Sequence, residues 1–276
     1  MIHKKIQLKE RFPFLGENGK DPNVTIYLPD PMAEMGRQEQ KRPCLVICPG
    51  GGYGMCSDRE AEPIAFHFLT QGYNVFVLRY SVRPHRFPTQ LREVAAVMEL
   101  IAENADIWHC DTDRVAIMGF SAGGHLAAHY STSYDTEEIR QVFPDSKPVQ
   151  ASVLCYPVIS ADYWAHLGSF RNLLGVESLT PEQIQKFSCD LMVTEKTPPA
   201  FLWHTTTDNV VPVANSLRYA TALTEHGIPF SMHIYPVGGH GLATVDAQTN
   251  DALSEEVRQS ADWLRAAQAW LRLTMN

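Results

Sequence analysis

Short apolar runs alternate with longer amphipathic stretches along almost the whole chain. Six of the runs have the length and aliphatic content of buried strands: 43–52, 74–81, 114–120, 151–158, 200–206 and 230–236. Between two of them, residues 88–104 repeat apolar side chains at helical spacing, with Leu91 and Val94 on the same face. Strands that alternate with helices predict an α/β fold, in which a mostly parallel central sheet is covered by helices on both faces.

Two further elements are predicted near the N-terminus. The apolar run at 24–29 precedes the regular alternation, so we expect it to form an early strand at the edge of the sheet. A helix is expected over residues 59–72. Ser57 and Glu60 have the spacing of a capping box, in which the serine accepts a backbone N–H and the glutamate reaches back.

The chain of 276 residues is predicted to form a single domain over 1–276. Residues 159–199 interrupt the alternation and are rich in turns and aromatic residues, which indicates a small cap-like insertion, either a lid or a helical addition. A closing helix is expected over 254–273. Its Trp263 and Trp270 widen the apolar face, which packs either on the body or on a second copy in a homodimer.

The charge of the chain narrows the range of partners. A formal net charge of −8 disfavours nucleic acid and anionic membranes, because neither attracts an acidic surface. The first twelve residues contain no apolar core of a secretory signal, and no apolar run is long enough for a membrane span. We therefore expect a cytoplasmic protein that acts on a small molecule.

The six cysteines do not form a recognisable framework. Cys44 and Cys48 lie on one predicted strand, about 13 Å apart at roughly 3.3 Å per residue. That separation is too large for a disulfide or a shared metal ion. Free, buried thiols in a reducing compartment are expected, and no metal or other cofactor is predicted.

One serine lies at a sharp turn between a predicted strand and a predicted helix. The stretch GFSAGGH places Ser121 between Gly119 and Gly123, directly after the strand at 114–120. This order is typical of a nucleophile elbow, in which small neighbours let a strained serine project its hydroxyl. The alternative is a tight turn whose serine only caps the helix.

A nucleophilic serine needs a base and a carboxylate that orients the base. Asp208 follows the strand at 200–206, and His240 follows the strand at 230–236, so both are expected at the sheet edge that holds Ser121. We predict Ser121, Asp208 and His240 as a catalytic triad. The competing residues are less suitably placed. Asp246 follows the histidine in the chain, and Asp190 lies in the insertion. The other histidines are expected to pack or to bond to neighbours without taking part in the chemistry: His125, His129, His204 and His233.

A glycine-rich loop follows the first central strand, in the stretch PGGGY. Glycines let backbone N–H groups approach a substrate that a Cβ atom would block. We predict that the N–H groups of Gly51, Gly52 and Ala122 form an oxyanion hole. The loop lacks the glycine spacing of a dinucleotide site, and no Gly-Lys-Ser/Thr follows it, so phosphate binding is poorly supported.

Together the stretches PGGGY, GFSAGGHLA, TTDNVVP and GGHG resemble the α/β-hydrolase superfamily over essentially the whole chain. The resemblance is to the acetyl esterase/lipase branch related to hormone-sensitive lipase, and within it to acetylxylan-esterase-like carboxylesterases that act on acylated sugars. It implies the same roles for Ser121, Asp208 and His240. Many relatives have His-Gly-Gly-Gly, whereas this chain has Pro49 before the glycines, which removes a side chain able to brace the loop.

The resemblance implies a carboxylesterase that removes short acyl groups, acetyl above all, from sugars or similar alcohols. Two other functions stay open. The same triad serves amidases and peptidases, and a hydrolase scaffold also serves as a binding module.

The substrate contacts are predicted by position along the chain. Tyr53 adjoins the glycine loop, Tyr156 ends a strand, Val210 follows the acid, and Trp164 lies in the insertion. Aromatic rings next to hydrogen-bonding groups suit a sugar, although Trp164 equally suits a role in holding the insertion on the body.

Overall fold

The computed structural model describes residues 1–15 and 22–275. Within this part of the chain eight strands form one sheet. In chain order they are β1 (Ile2–Gln7), β2 (Asn23–Leu28), β3 (Arg42–Cys48), β4 (Asn74–Arg79), β5 (Cys110–Phe120), β6 (Ala151–Cys155), β7 (Ala200–Thr205) and β8 (Phe230–Tyr235). Their spatial order is β1-β2-β4-β3-β5-β6-β7-β8.

The sheet is mostly parallel, as predicted. Strands β3 to β8 pair in parallel, whereas β2 pairs with β4, and β1 with β2, in antiparallel fashion. The prediction that residues 24–29 form the edge was wrong, because β1 covers β2 on its outer side. The parallel strands all end at one edge, and the predicted site residues follow them there.

Helices cover both faces of the sheet, which confirms the predicted α/β arrangement. They are α1 (Leu8–Arg11), α2 (Glu62–Leu69), α3 (Thr89–Glu103), α4 (Ala122–Ser133), α5 (Glu137–Arg140), α6 (Leu167–Leu174), α7 (Pro181–Phe187), α8 (Ala214–Glu225), α9 (Glu255–Arg258) and α10 (Asp262–Thr274). One hydrophobic core lies beneath α3, α4 and α8, and a second lies beneath α2 and α10. In the described residues no helix is long and apolar enough to cross a membrane.

The last two helices replace the single closing helix that the pattern predicts. Helices α9 and α10 are separated by a short 3₁₀ turn at Gln259–Ala261. Trp263 is fully buried and stacks on Trp203 with ring centroids 5.0 Å apart, and Trp270 packs against the same core. Trp263 is therefore covered by the chain itself and Trp270 is partly covered, and the homodimer stays a prediction.

The start of α2 differs from the prediction in a way that matters for the site. The helix begins at Glu62, its cap position Ala61 makes no side-chain hydrogen bond, and the predicted capping box is absent. Glu60 instead turns inward and is 3% exposed. Its carboxylate is used by other backbone and side-chain donors, which are described below.

A second buried carboxylate, Glu93 on α3, has consequences for stability. Its Oε2 accepts the N–H of Ser81 at 2.7 Å, and within the described residues its Oε1 has no partner. Burial raises the pKa of Glu93 to about 8. The folded protein therefore holds a proton that the unfolded chain releases, so this contribution to stability is present at low pH and is lost as the pH rises.

We expect the melting temperature of the Glu93→Gln variant to rise relative to that of the wild type as the pH is raised from about 4.5 to about 8. The amide mimics the protonated acid and does not ionise, and each pH unit in this window is worth roughly 3 °C in the difference between the melting temperatures. Thermal unfolding of both proteins at several pH values measures this gap. A gap that does not change with pH would show that Glu93 is not held in its neutral form.

Candidate active site

Ser121 occupies the turn between β5 and α4. Its backbone has φ 54° and ψ −119°, a strained conformation for a residue with a side chain. A Cβ at Gly119 would lie 2.1 Å from the carbonyl oxygen of Gly123, and one at Gly123 would lie 2.1 Å from that of Cys48. Only glycine fits at either position, so the two glycines allow the strand, the helix and the neighbouring loop to meet around the serine.

His240 joins Ser121 from the loop after β8. Its Nε2 lies 2.7 Å from the Oγ of Ser121, and its Nδ1 lies 2.6 Å from the Oδ2 of Asp208. Because an ionised carboxylate only accepts hydrogen bonds, Nδ1 carries the proton and Nε2 accepts the serine O–H. The three predicted residues are thus brought together, with the imidazole ready to take the serine proton.

Asp208 is fixed from its other side as well. Its Oδ1 accepts the backbone N–H groups of Val210 and Val211, each at 2.9 Å. Burial alone would raise the pKa of Asp208, but hydrogen bonds from His204, His240 and Val211 outweigh burial, so the pKa lies well below its ordinary value. The carboxylate therefore stays charged beside the imidazole.

His204 supports this acid more directly than the sequence indicates. It is fully buried at the end of β7, and its Nε2 lies 2.9 Å from the carbonyl oxygen of Val211 and 3.3 Å from Oδ2 of Asp208. Its Nδ1 lies 2.8 Å from the hydroxyl of Ser216. Both neighbours of Nε2 are acceptors, so Nε2 carries the proton and Ser216 donates to Nδ1. His204 thus has the structural role that the sequence predicts, and it also orients Asp208.

The predicted oxyanion donors belong to the glycine loop and to the first residue of α4. Gly51 has φ 123° and Gly52 has φ 62°, which are backbone angles that glycine adopts without strain. Ala122 is the first residue of α4, where a backbone N–H has no partner within its own helix. A Cβ on Gly50 would lie 2.9 Å from the Cβ of Ser121, so the loop is in contact with the serine turn.

The glycine loop is braced although Pro49 replaces the histidine of the resembling motif. The Tyr80 hydroxyl donates to the carbonyl oxygen of Pro49 at 2.7 Å, and the Gly50 N–H donates to Glu60 at 2.8 Å. From the insertion, Asn172 Nδ2 donates to the carbonyl oxygen of Gly52 at 2.8 Å. These contacts hold the loop in place of the missing side chain.

Comparison with known proteins agrees with this geometry. A profile of the BD-FAE family matches residues 25–223, which is more than half of the chain. The chain belongs to the BD-FAE family. The predicted resemblance to α/β-hydrolases of the acetylxylan-esterase type is thereby confirmed.

The chain is also similar to named relatives and to a solved structure. It is 36% identical to an endo-1,4-beta-xylanase B of Butyrivibrio fibrisolvens, over 80% of this chain and 35% of that protein. It is 36% identical to an acetylxylan esterase of Xylanibacter ruminicola, over 72% of this chain and 40% of that protein. The chain thus spans well under half the length of these two curated relatives. The crystal structure of an acetyl ester-xyloside bifunctional hydrolase from Caldicellulosiruptor lactoaceticus superposes with a TM-score of 0.83 at 33% identity, over 98% of this chain and 96% of that one.

Two of the predicted substrate contacts have buried side chains in this member of the BD-FAE family. Tyr53 is 1% exposed and its hydroxyl lies 2.8 Å from Nδ1 of His125, while Tyr156 is 2% exposed and packs beneath His240. Nε2 of His125 lies 2.9 Å from the carbonyl oxygen of Phe187, so it is the donor there and Tyr53 donates to Nδ1. A tyrosine in a sequence suits either a substrate contact or a core position, because its ring packs in a core while its hydroxyl bonds to a buried partner.

The other two predicted contacts keep exposed side chains. Val210 is 44% exposed beside the acid loop, and Trp164 is 39% exposed with its ring packed edge-on against Tyr163. Their role toward substrate stays a prediction.

The insertion also brings His166, which the sequence did not single out, close to the glycine loop. A Cβ on Gly52 would lie 3.9 Å from Cε1 of His166 and 3.8 Å from Oγ of Ser169. The same two side chains bond to each other at 2.8 Å. Burial and the nearby His240 lower the pKa of His166, while Asp208 opposes this. The insertion therefore forms one wall over the glycine loop, and its first helical turn faces the site.

Proposed function

We propose that this protein is a serine esterase that removes short acyl groups, acetyl above all, from sugars or related alcohols. The observation that carries the proposal is the unbroken line of hydrogen bonds from Ser121 Oγ through His240 to Asp208, at 2.7 and 2.6 Å. Such a line activates a hydroxyl that is otherwise a weak nucleophile.

Acylation follows from this geometry. Nε2 of His240 takes the Ser121 proton as Oγ attacks the ester carbonyl carbon, and the carbonyl π electrons move to oxygen. Asp208 keeps the imidazole in the required tautomer and stabilises the cation that forms. When the tetrahedral intermediate collapses, the bond to the alcohol breaks, and the imidazolium returns its proton to the leaving oxygen.

The glycine loop and the start of α4 stabilise the charge that develops on the carbonyl oxygen. We assign the donors to the N–H groups of Gly51, Gly52 and Ala122; a single donor of this kind is typically worth about 3 kcal/mol of barrier. Water then attacks the acyl-enzyme by the same route, with His240 again as the base. Acetate leaves, and Ser121 regains its proton.

The choice of substrate rests on the family and on the shape of the insertion. The relatives include an acetylxylan esterase and an acetyl ester-xyloside bifunctional hydrolase, which supports an acetylated carbohydrate for this chain. The described helices of the insertion, α6 and α7, have 8 and 7 residues, too short for a long apolar lid over a fatty acyl chain. Short acyl groups therefore suit the site best.

The compartment is part of the same proposal. All six cysteines are free thiols, and five of them are buried, which fits a reducing environment such as the cytoplasm.

Rates with substrates that differ in acyl-chain length or in the leaving group test the proposed function. We expect p-nitrophenyl acetate to be cleaved with a kcat/KM at least about 100-fold higher than that for the palmitate, since a site shaped for an acetyl group leaves no room for the longer chain. Acetylated xylo-oligosaccharides should release acetate, and a matched acetanilide should react far more slowly. Equal rates for acetate and palmitate would contradict the size preference, and faster cleavage of the anilide would favour an amidase.

A further inference from the structure

Glu60 is the one acidic side chain that contacts both the glycine loop and the residues beneath His240 in the described part of the chain. It precedes α2 and is 3% exposed, although burying a carboxylate is costly unless its oxygens are hydrogen-bonded. Both of its oxygens have a donor: Gly50 N–H on one side and the Tyr156 hydroxyl on the other. No step of the proposed reaction uses it directly.

On one side, Glu60 holds the loop that carries the oxyanion donors. Its Oε2 accepts the Gly50 N–H at 2.8 Å, one residue before Gly51. A Cβ on Gly50 would lie 2.6 Å from this oxygen and 2.9 Å from the Cβ of Ser121. The carboxylate therefore contacts the loop, and the loop contacts the turn of the nucleophile. We expect a shift of the carboxylate to move the loop relative to the serine.

On the other side, Glu60 reaches the histidine loop through Tyr156. Its Oε1 accepts the Tyr156 hydroxyl proton at 2.7 Å, and the same hydroxyl accepts the Ala243 N–H at 3.0 Å. The Tyr156 ring packs edge-on against His240, with centroids 5.0 Å apart. The tyrosine thus links the carboxylate to both the backbone after His240 and the imidazole ring.

We propose that Glu60 is a positioning residue that holds the oxyanion loop and His240 in register with Ser121 through one buried carboxylate. The inference rests on the proposed function and deepens it. It explains how the loop stays ordered with Pro49 in place of a histidine.

A carboxylate is required at this position because both partners donate. An ionised carboxylate accepts from Gly50 and Tyr156 together, whereas an amide has one acceptor oxygen and turns its NH₂ toward a second donor. Burial raises the pKa of Glu60, but the bonds from Tyr156 and Gly50 and the nearby His240 favour its charged form.

The Glu60→Gln variant tests the proposal, with Glu62→Gln as its matched control. Glu62 also accepts a tyrosine hydroxyl, that of Tyr27 at 2.8 Å, but it lies at the start of α2 and contacts neither loop. We expect E60Q to lower kcat for p-nitrophenyl acetate about 10- to 100-fold, with KM changed less than about threefold, since small misplacements of reacting groups have this effect on rate. E62Q should keep both constants.

Binding of an alkylboronic acid gives a readout that a general loss of structure would not reproduce. The boronate adds to Ser121 and mimics the tetrahedral intermediate, so its affinity should fall in E60Q by the same factor as kcat. A value of kcat and a boronate affinity equal to those of E62Q would overturn the proposal. Failure of the wild type to hydrolyse any ester would instead overturn the proposed function.

The Tyr156→Phe variant covers the case in which E60Q does not fold. It keeps the Glu60–Gly50 bond and the ring against His240 and removes the hydroxyl, with its bonds to Glu60 and to the Ala243 N–H. We expect kcat to fall about three- to tenfold, with boronate affinity falling in parallel. Wild-type values for both would show that the link does not position the site.

Discussion

Replacement of Ser121 by alanine is expected to lower kcat for p-nitrophenyl acetate by about a million-fold, the loss seen when a triad nucleophile is removed. The reason is that His240 Nε2 then has no hydroxyl to deprotonate at 2.7 Å. The fold should be preserved, since the backbone at Ser121 is held by hydrogen bonds to the carbonyl of Cys155 and from the N–H of Val158, both at 3.0 Å. Steady-state kinetics and thermal unfolding together measure the effect.

Ser131→Ala is the matched control for this substitution. Ser131 lies on α4, the helix that follows Ser121, is also buried, and donates its hydroxyl to the carbonyl oxygen of Ala127 at 2.8 Å. Its removal should leave kcat within about threefold, because such a hydrogen bond contributes only about 1 kcal/mol to stability. Retention of ester hydrolysis by S121A would show that another residue is the nucleophile.

Substitution of Asp208 by asparagine should lower kcat about 10⁴-fold while leaving the site nearly unchanged in shape. The asparagine oxygen can keep the bonds from Val210 and Val211, but its NH₂ group then faces Nδ1 of His240 and favours the tautomer that cannot deprotonate the serine. Because the pKa of Asp208 lies well below its ordinary value, the loss should persist from mildly acidic to alkaline pH.

Asp246→Asn provides the comparison. Asp246 follows the histidine loop and bonds to the Thr244 hydroxyl and the Gln248 N–H, at 2.7 and 3.0 Å. It is one of the two competing acids in the sequence, with Asp190, and its substitution should change kcat less than about threefold. A larger loss in D246N than in D208N would reverse the assignment of the acid.

Most of the strands and helices can be predicted from the spacing of apolar residues along the chain, but β1 cannot. The central strands β3, β4, β6 and β7 and residues 115–120 of β5 are largely buried on both faces, so they appear in the sequence as nearly continuous apolar runs. Strand β1 carries Lys4 and Lys5 and is largely exposed, as an edge strand often is. Its short run therefore lacks the pattern that identifies a strand.

The positions of Ser121, Asp208 and His240 could be predicted because each follows a recognisable strand. Parallel strands end at one edge of the sheet, so residues distant in sequence are brought together there. The distances between them depend on the loops, which only the structure shows.

Glu60, His166 and His204 could not be assigned from sequence. Glu60 has the spacing of a capping residue, and only the tertiary fold turns it toward Gly50 and Tyr156. His204 occupies a buried strand end, where a structural role is the commoner case. His166 lies in the insertion, whose path over the glycine loop no local pattern predicts.

Covalent labelling with a fluorophosphonate probe tests the central claim most directly. The probe phosphonylates a serine that is activated by a base, with fluoride as the leaving group, and the adduct is not readily hydrolysed. Peptide mapping after labelling should place one adduct on Ser121, with ester hydrolysis lost in proportion to labelling and no adduct in S121A. An enzyme that still hydrolyses esters with Ser121 unlabelled, or that loses activity through an adduct on another residue, would contradict the account.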